Sequence, residues 1–414
     1  MTTTLAPTAG PDDRPAHRDP NVLRWLGAYA SSAVGDNVYY IALSWAAVQA
    51  GTPAQAGLVT AVSAVPRALL MLGGGVVVDR YGPRRVVLGS SAVRCLLVVM
   101  AAVLLLAARP GLWALGAVAV LFGVVDAVFL PAAGALPARI TGPGQITRVQ
   151  GMRGLATRLA NVLGGPLGGL GVALGGTAGA FGLAALLIGV SLPLLWVVRV
   201  GHLPPDHDRA RGALLAELRD GLRHIGQDRV LRPLVLAMAV VDLGFVGPMN
   251  LGLTLLAQER GWGSLGMGWL LAGFGTGAGT VSLLLTLRGR VPRAGLVMAL
   301  AELGACVAVA WLAHAPSVIA ATGVALLIGL LAGLGGALSG ALTLAQAGPA
   351  YAGRVTAVST LVGFGVAPLT FPLVGAAAGR WGIGPVFAAC AAIWAGGALL
   401  ALCSRPLRRA ELPR

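Results

Sequence analysis

Seven ionisable side chains stand inside runs of apolar residues, where a charge is expensive: Asp36, Arg67, Arg94, Asp126, Arg158, Asp242 and Glu302. Groups of this kind at membrane depth are functional candidates by default. Their chemistry is of two kinds, exchange of a proton or attraction of a solute of opposite charge. A carboxylate whose charged partner changes as a cavity alternates between two sides of a membrane can take up a proton on one side and release it on the other. Asp36 is the first choice for that role and Asp126 the second, with Asp242 a third acid at similar depth. Tyr39 and Tyr40 follow Asp36 at i+3 and i+4 and place two aromatic surfaces beside its carboxylate, a face suited to a lipophilic cation. Arg67, directly after Pro66, offers an anionic substrate an alternative partner, which leaves the sign of the substrate open. Asn37, Asn161 and Asn250 add a small set of neutral polar groups. Arg94 and Asp126 fall in consecutive antiparallel runs and are within reach of each other as a structural ion pair.

The elements that hold these residues follow from composition. Of the 414 residues 57% are hydrophobic and 11% charged, 62 are glycine, and mean hydropathy is +0.82. Such a chain is a membrane protein rather than a soluble domain. A membrane-spanning helix needs about 20 apolar residues, and twelve such segments are readable, near 22–49, 53–78, 86–108, 111–135, 149–174, 177–198, 231–257, 264–287, 293–313, 317–345, 354–379 and 384–403. Their glycine and proline content and lack of alternation predict an all-α bundle, not a barrel. Residues 1–21 read as a cytoplasmic tail without a cleavable signal, 22–199 and 231–404 as two six-helix bundles, 200–230 as a cytoplasmic linker and 405–414 as a second tail. In the linker, Leu214, Leu215, Leu218, Leu222 and Ile225 share one helical face, predicting an amphipathic helix along the membrane surface or a regulatory docking helix.

All 30 basic residues are arginines. Without lysine there is no P-loop and no Schiff-base chemistry, and the linker is too short for a nucleotide-binding domain, so no cofactor is expected and an ion gradient or a partner is the expected energy source. With the N-terminus inside, only Arg109, Arg260 and Arg380 fall on the outer face; this bias places both termini in the cytoplasm. The net charge of +15 is therefore topological, directed at anionic lipid and not at nucleic acid. Cys95, Cys306, Cys390 and Cys403 have no metal-ligand spacing, and His202 and His207 beside Asp206 and Asp208 are the sole, weak suggestion of a metal site.

Shifting the chain by 206 residues lays Asp36 on Asp242, Arg148-Val149 on Arg354-Val355, and Pro166-Leu167 with Gly169 on Pro372-Leu373 with Gly375. One shift connecting three separate places indicates an internal duplication of the kind found in secondary transporters. The stretch 73–85 has a degraded echo at 287–293 that lacks the acid.

That stretch carries a resemblance. Gly75-x-x-x-Asp79-Arg80-x-Gly82-x-Arg84-Arg85, between the second and third apolar runs, resembles the loop signature of the major facilitator superfamily. Pro131 to Pro137, Gly165-Pro166 with Gly169, and Gly353-Arg354-Val355 look like the drug-efflux branch that includes macrolide and siderophore exporters. The resemblance implies twelve transmembrane helices in two pseudo-repeated bundles around a central cavity lined by the first, fourth, seventh and tenth spans. Asp36, Asp126 and Asp242 would then face the cavity and Glu302 would be peripheral. It also implies that the acid and bases of the loop latch the two halves on the cytoplasmic side, with Gly75 admitting a neighbouring helix and Gly82-Pro83 making the turn. The Gly-Pro of the fifth span is associated with antiporters, and its glycines serve close helix packing equally well. The fourth span departs from the better-known multidrug branches, having Asp126 where they use an arginine for proton transfer.

The function expected is proton-coupled efflux of small hydrophobic or cationic molecules by alternating access, by a monomer in a bacterial plasma membrane. The alternatives are an importer or facilitator of a small polar nutrient, and a non-transporting membrane scaffold or receptor.

Overall fold

The computed structural model describes residues 15–107, 111–201, 211–288 and 291–412, and among these there is no strand. The helices in chain order are α1 Pro20–Ala50, α2 Pro53–Tyr81, α3 Pro83–Ala107, α4 Leu112–Ala135, α5 Pro137–Ile140, α6 Ile146–Val197, α7 Arg211–Gln227, α8 Leu231–Gly247, α9 Leu253–Glu259, α10 Gly263–Arg288, α11 Ala294–Leu312, α12 Val318–Trp381, α13 Ile383–Cys403 and α14 Arg405–Arg408. A wide π turn, Pro248–Gly252, joins α8 to α9, so the pair runs on as one rod. Nine helices among the described residues are long and apolar enough to cross a membrane, counting Arg148–Val197 once; α1 and α2, of 31 and 29 residues, lie outside that set.

Local sequence fixes the breaks. Asp19 caps α1, its carboxylate accepting from the Asn21 amide at 2.8 Å, and Pro20 opens the first turn. Thr52 and Gln55 form a reciprocal capping box at the start of α2. Gly82, at φ 81°, is the single residue between α2 and α3; its backbone sign is what lets Pro83 start a new helix immediately. The 52-residue α6 breaks at Gly175–Gly176 and the 64-residue α12 at Gly348, dividing each into two arms.

Packing relies on absent side chains. Ser63 of α2 presses its backbone onto Gly123 of α4, and Ile188 of α6 packs on Gly35 of α1. Helices from the two ends of the chain meet in the same way. A Cβ at Gly57 of α2 would lie 2.5 Å from the Phe371 carbonyl oxygen of α12, and Gly375 sits on the Pro53 backbone. A Cβ at Gly169 of α6 would lie 2.6 Å from the Ser264 carbonyl oxygen and 2.9 Å from the Gly268 Cα of α10. Ser44 of α1 and Thr254 of α9 share a hydrogen bond of 2.9 Å. These contacts all lie at the end of the bundle where α1 finishes and α2 begins. The 206-residue shift relates the Gly169 contact to the Gly375 contact, so the closure is internally symmetric.

The linker helix α7 docks onto α12. Ile225 is buried and Leu218 packs beside it against Leu231, Val235, Val355 and Val358, whereas Leu222 is 58% exposed. The His224 ring stacks on Tyr351 at 4.1 Å, and Asp220 lies 3.9 Å from Arg354. The apolar face predicted from the leucines is thus split, part of it covered by α12; the side chains of Leu214 and Leu215 lie outside the described residues.

Candidate functional site

A cavity of 490 Å³ lies between α1, α2 and α6 on one side and α8, α10 and α12 on the other. Its wall is chiefly apolar and aromatic, Phe245, Met249, Leu271 and Phe371 among the contributors. Polar groups come from Tyr40, Arg67, Asn37, Asn161, Asp242 and Asn250. Asn37 donates to Asn161 at 3.2 Å across α1 and α6, and Asn250 donates to the Val246 carbonyl at 2.8 Å. A large apolar pocket with a few convergent polar groups is the form expected of a small-molecule site.

The placement of the acids departs from the sequence reading. No lining residue comes from α4: the Gly123–Ser63 contact seats α4 behind α2, and Asp126, 4% exposed, lies behind the wall. Asp36 is not a lining residue either. Its two carboxylate oxygens accept from Arg94 Nη1 at 2.9 and 2.8 Å, and the same nitrogen lies 3.4 Å from Asp126. Arg94 therefore reaches Asp126, as its position on the neighbouring helix predicts, but its nearer partner is Asp36. Its side chain is fully buried, with Ser32 accepting from Nη2 at 2.9 Å and the guanidinium 3.6 Å from the Phe129 ring centroid. Arg67 completes the set, 3.5 Å from Asp126 and donating to the Tyr40 hydroxyl at 2.9 Å. Two acids and two arginines thus make a neutral network in which Arg67 alone reaches the cavity.

Tyr39 and Tyr40 do not form one aromatic face on the cavity. Tyr40 lines it, whereas Tyr39 is fully buried and stacked on Phe122 at 3.8 Å, because adjacent residues on a helix point about 100° apart. The aromatic cradle for a cation beside Asp36 is therefore absent. Asp242 is the acid that does line the cavity, with no hydrogen bond or ion pair among the described residues. Glu302, expected at the periphery, is 8% exposed and faces a second cavity beside Asp242. The shift that pairs Asp36 with Asp242 lays Arg94 two residues from Glu302, a signal present in the sequence and not used there. Arg158 is exposed on α6.

At the 73–85 stretch, Asp79 and Arg80 end α2, and Arg84 donates to the Trp196 carbonyl at the close of α6 at 2.6 Å. Arg80 lies 5.5 Å from the Tyr81 ring centroid, Arg85 is exposed, and the Asp79 side chain is outside the described residues. Gly75 does not admit a helix: nothing lies within 4 Å of where its side chain would begin, and the packing glycine is Gly74, against the Ala127 carbonyl and Pro131. In α6 the backbone stays helical through Pro166, and Gly165 and Gly169 are contact points for α10. His202, His207, Asp206 and Asp208 lie outside the described residues; among those described no group of three or more His, Cys, Asp or Glu is placed to hold a metal.

The sequence has known relatives and the fold known counterparts. The multidrug efflux pump Tap of Mycobacterium tuberculosis and Mycobacterium bovis is 27% identical over 384 residues, covering 88% of this chain and 89% of that protein. The solved structure of the nucleoside transporter NupG superposes with a TM-score of 0.70 at 13% identity, covering 94% of this chain and 99% of that one. A bacterial homologue of the lysosomal transporter Spinster, in an inward-facing and occupied conformation, gives 0.66 at 15% identity over 94% of this chain and 95% of that one. The family model of the Major Facilitator Superfamily matches residues 25–368. With that match across most of its length, its multiple apolar helices and its transporter fold, the chain is a multi-pass integral membrane protein belonging to the Major Facilitator Superfamily of transporters.

Proposed function

We propose that this transporter is a proton-coupled exporter of small hydrophobic or cationic molecules, working as a monomer by alternating access in a bacterial plasma membrane. The observation that carries the reading is the central cavity: largely apolar, lying between helices of the two halves of the chain, and containing in Asp242 one acid that makes no ion pair among the described residues, Arg67 on the same wall being held by Asp126 and Tyr40. Such a site binds an apolar body with a positive pole. The likeness to a multidrug efflux pump supports export. The neutral network of Asp36, Asp126, Arg67 and Arg94 supports proton coupling, because a proton on Asp36 would release Arg94 to Asp126 and so loosen Arg67 at the cavity wall. In purified protein reconstituted into liposomes, an imposed pH gradient should drive a cationic dye such as ethidium against its concentration gradient. A dye that only equilibrates, at any gradient, would defeat the reading in favour of a facilitator.

Splitting α6 and α12 at their glycine breaks and adding α1 and α2 gives twelve crossings in two bundles, 22–199 and 231–404. The glycine-packed closure then lies on the outer face and the arginine-rich connections, with both termini, on the cytoplasmic face. On a cysteine-free background, Gln227→Cys and Arg409→Cys should react with an impermeant maleimide only from inside, and Gly175→Cys and Pro316→Cys only from outside. Labelling of Gln227→Cys from outside would overturn the topology.

A further inference from the structure

We propose that Glu302 and Asp242 form a second proton site, separate from the Asp36 network and confined to the second bundle. A side cavity of 230 Å³ runs between α8, α10, α11, α12 and α13. Asp242 and Phe245 line both this cavity and the central one, so the two spaces adjoin at these two residues. At the far wall Glu302 Oε2 accepts from the Trp394 indole N–H at 2.7 Å. Its other oxygen occupies the room left by Gly335, since a Cβ there would coincide with it.

Among the described residues no cation lines the cavity around Glu302. Asp242 comes from α8, and what α10, α12 and α13 contribute is apolar apart from the Ser339 hydroxyl and the Trp394 indole. On α11 itself the Cys306 thiol donates to the Glu302 carbonyl at 2.9 Å. Among these described residues the two acids are the only charged groups. The first bundle answers Asp36 with Arg94; in the second, Leu300 stands at the matching position and the acid Glu302 follows two residues on. Two carboxylates in one largely apolar space without a cation repel strongly, so a single proton shared between them is the stable occupancy.

The proton has a path and a consequence. Water in the central cavity delivers it to an Oδ of Asp242; transfer to the free oxygen of Glu302 leaves Asp242 ionised and facing the cavity. The charge presented to a substrate thus depends on which acid of the pair holds the proton. The inference rests on the proton-coupled reading above for its part in transport, but the protonation of Glu302 is measurable without transport.

Trp394 supplies that measurement, because its emission responds to the charge of the carboxylate it donates to. In the full-length protein in detergent, emission should change with pH in the parent and in Asp36→Asn. The change should be missing from Glu302→Gln, which keeps an acceptor for the indole, and from Trp394→Phe. Gly335→Ala, whose methyl displaces the carboxylate without altering charge, should weaken it. In liposomes at a difference of one pH unit, losing one of two coupled protons should lower the accumulation ratio about tenfold in Glu302→Gln, with dye binding retained. An emission titration in Glu302→Gln matching the parent, or unchanged accumulation in a parent that does respond to the gradient, overturns the site. A parent that ignores the gradient instead defeats the proton-coupled reading, and the emission titration alone then decides the pair.

Discussion

Asp36→Asn is expected to cut accumulation driven by a difference of one pH unit about tenfold, the loss of one of two coupled protons, while preserving downhill exchange of the same substrate. The amide imitates only the protonated carboxylate, so the protein keeps one of the two charge states between which coupling must move. The geometry adds a stability cost. Arg94 is wholly buried and takes its shortest ion pair from Asp36; Asp126, at 3.4 Å, is shared with Arg67. Removing one partner of a buried pair costs about 3–5 kcal/mol when nothing replaces it. The variant should therefore unfold at lower temperature, and Asp36→Asn with Arg94→Gln, which restores neutrality, should recover much of that loss without recovering coupling. Gradient-driven accumulation in the single variant equal to that of the parent would remove Asp36 from the coupling role and move it to Asp126.

Gly57→Ala should trap the protein open at the glycine-packed end, the one proposed to face outward. The new methyl would sit 2.5 Å from the Phe371 carbonyl oxygen and 3.1 Å from the Pro372 Cα, both backbone atoms that cannot rotate aside. Overpacking of this kind costs about 1–3 kcal/mol, and it falls only on the closed arrangement, so that state should lose roughly ten- to a hundredfold in population. The readout is Ser44→Cys on a cysteine-free background. Ser44 is buried in the closure and should resist an impermeant thiol reagent applied outside, then react rapidly once Gly57→Ala is added. Asp79→Asn, which weakens the latch proposed for the opposite end, should shift the population the other way, cutting transport while leaving dye binding within a few fold. Unchanged labelling in Gly57→Ala would mean that the α2–α12 contact does not control access.

The apolar runs foretold the helices closely. The run at 384–403 is the helix Ile383–Cys403, and the run at 264–287 is Gly263–Arg288, because hydropathy and glycine or proline punctuation act locally. The Arg94–Asp126 approach was legible for a similar reason, since consecutive antiparallel helices must lie side by side. Rotation about the helix axis was not legible. In α1, Asp36, Asn37, Tyr39 and Tyr40 span more than a full turn of directions, and apolar residues lie all around, so no stripe marks the cavity side. From the sequence Tyr39 therefore reads as sharing a face with Tyr40, and Asp36 as part of the cavity wall. Asp126 was misplaced because its distance from the cavity depends on one glycine, Gly123, that lets α2 come between. The resemblance sets Glu302 at the periphery because it gives the ninth span no inner space of its own, whereas small residues of α12 and α13 leave room for the side cavity that Glu302 faces.

The docking of α7 also decides where the polypeptide can be divided. By sequence it connects the two bundles; by contact it is a piece of the second, held through Ile225, His224 and Asp220 to the arm of α12 that begins after Gly348. A split protein for fragment complementation, or a reporter inserted into the connection, should therefore be joined between Gly201 and Arg211, so that the carboxy-terminal fragment brings its own clasp. A cut after Gln227 would leave α7 attached to a fragment with no partner for it and strip the other of the helix that covers Val355 and Val358.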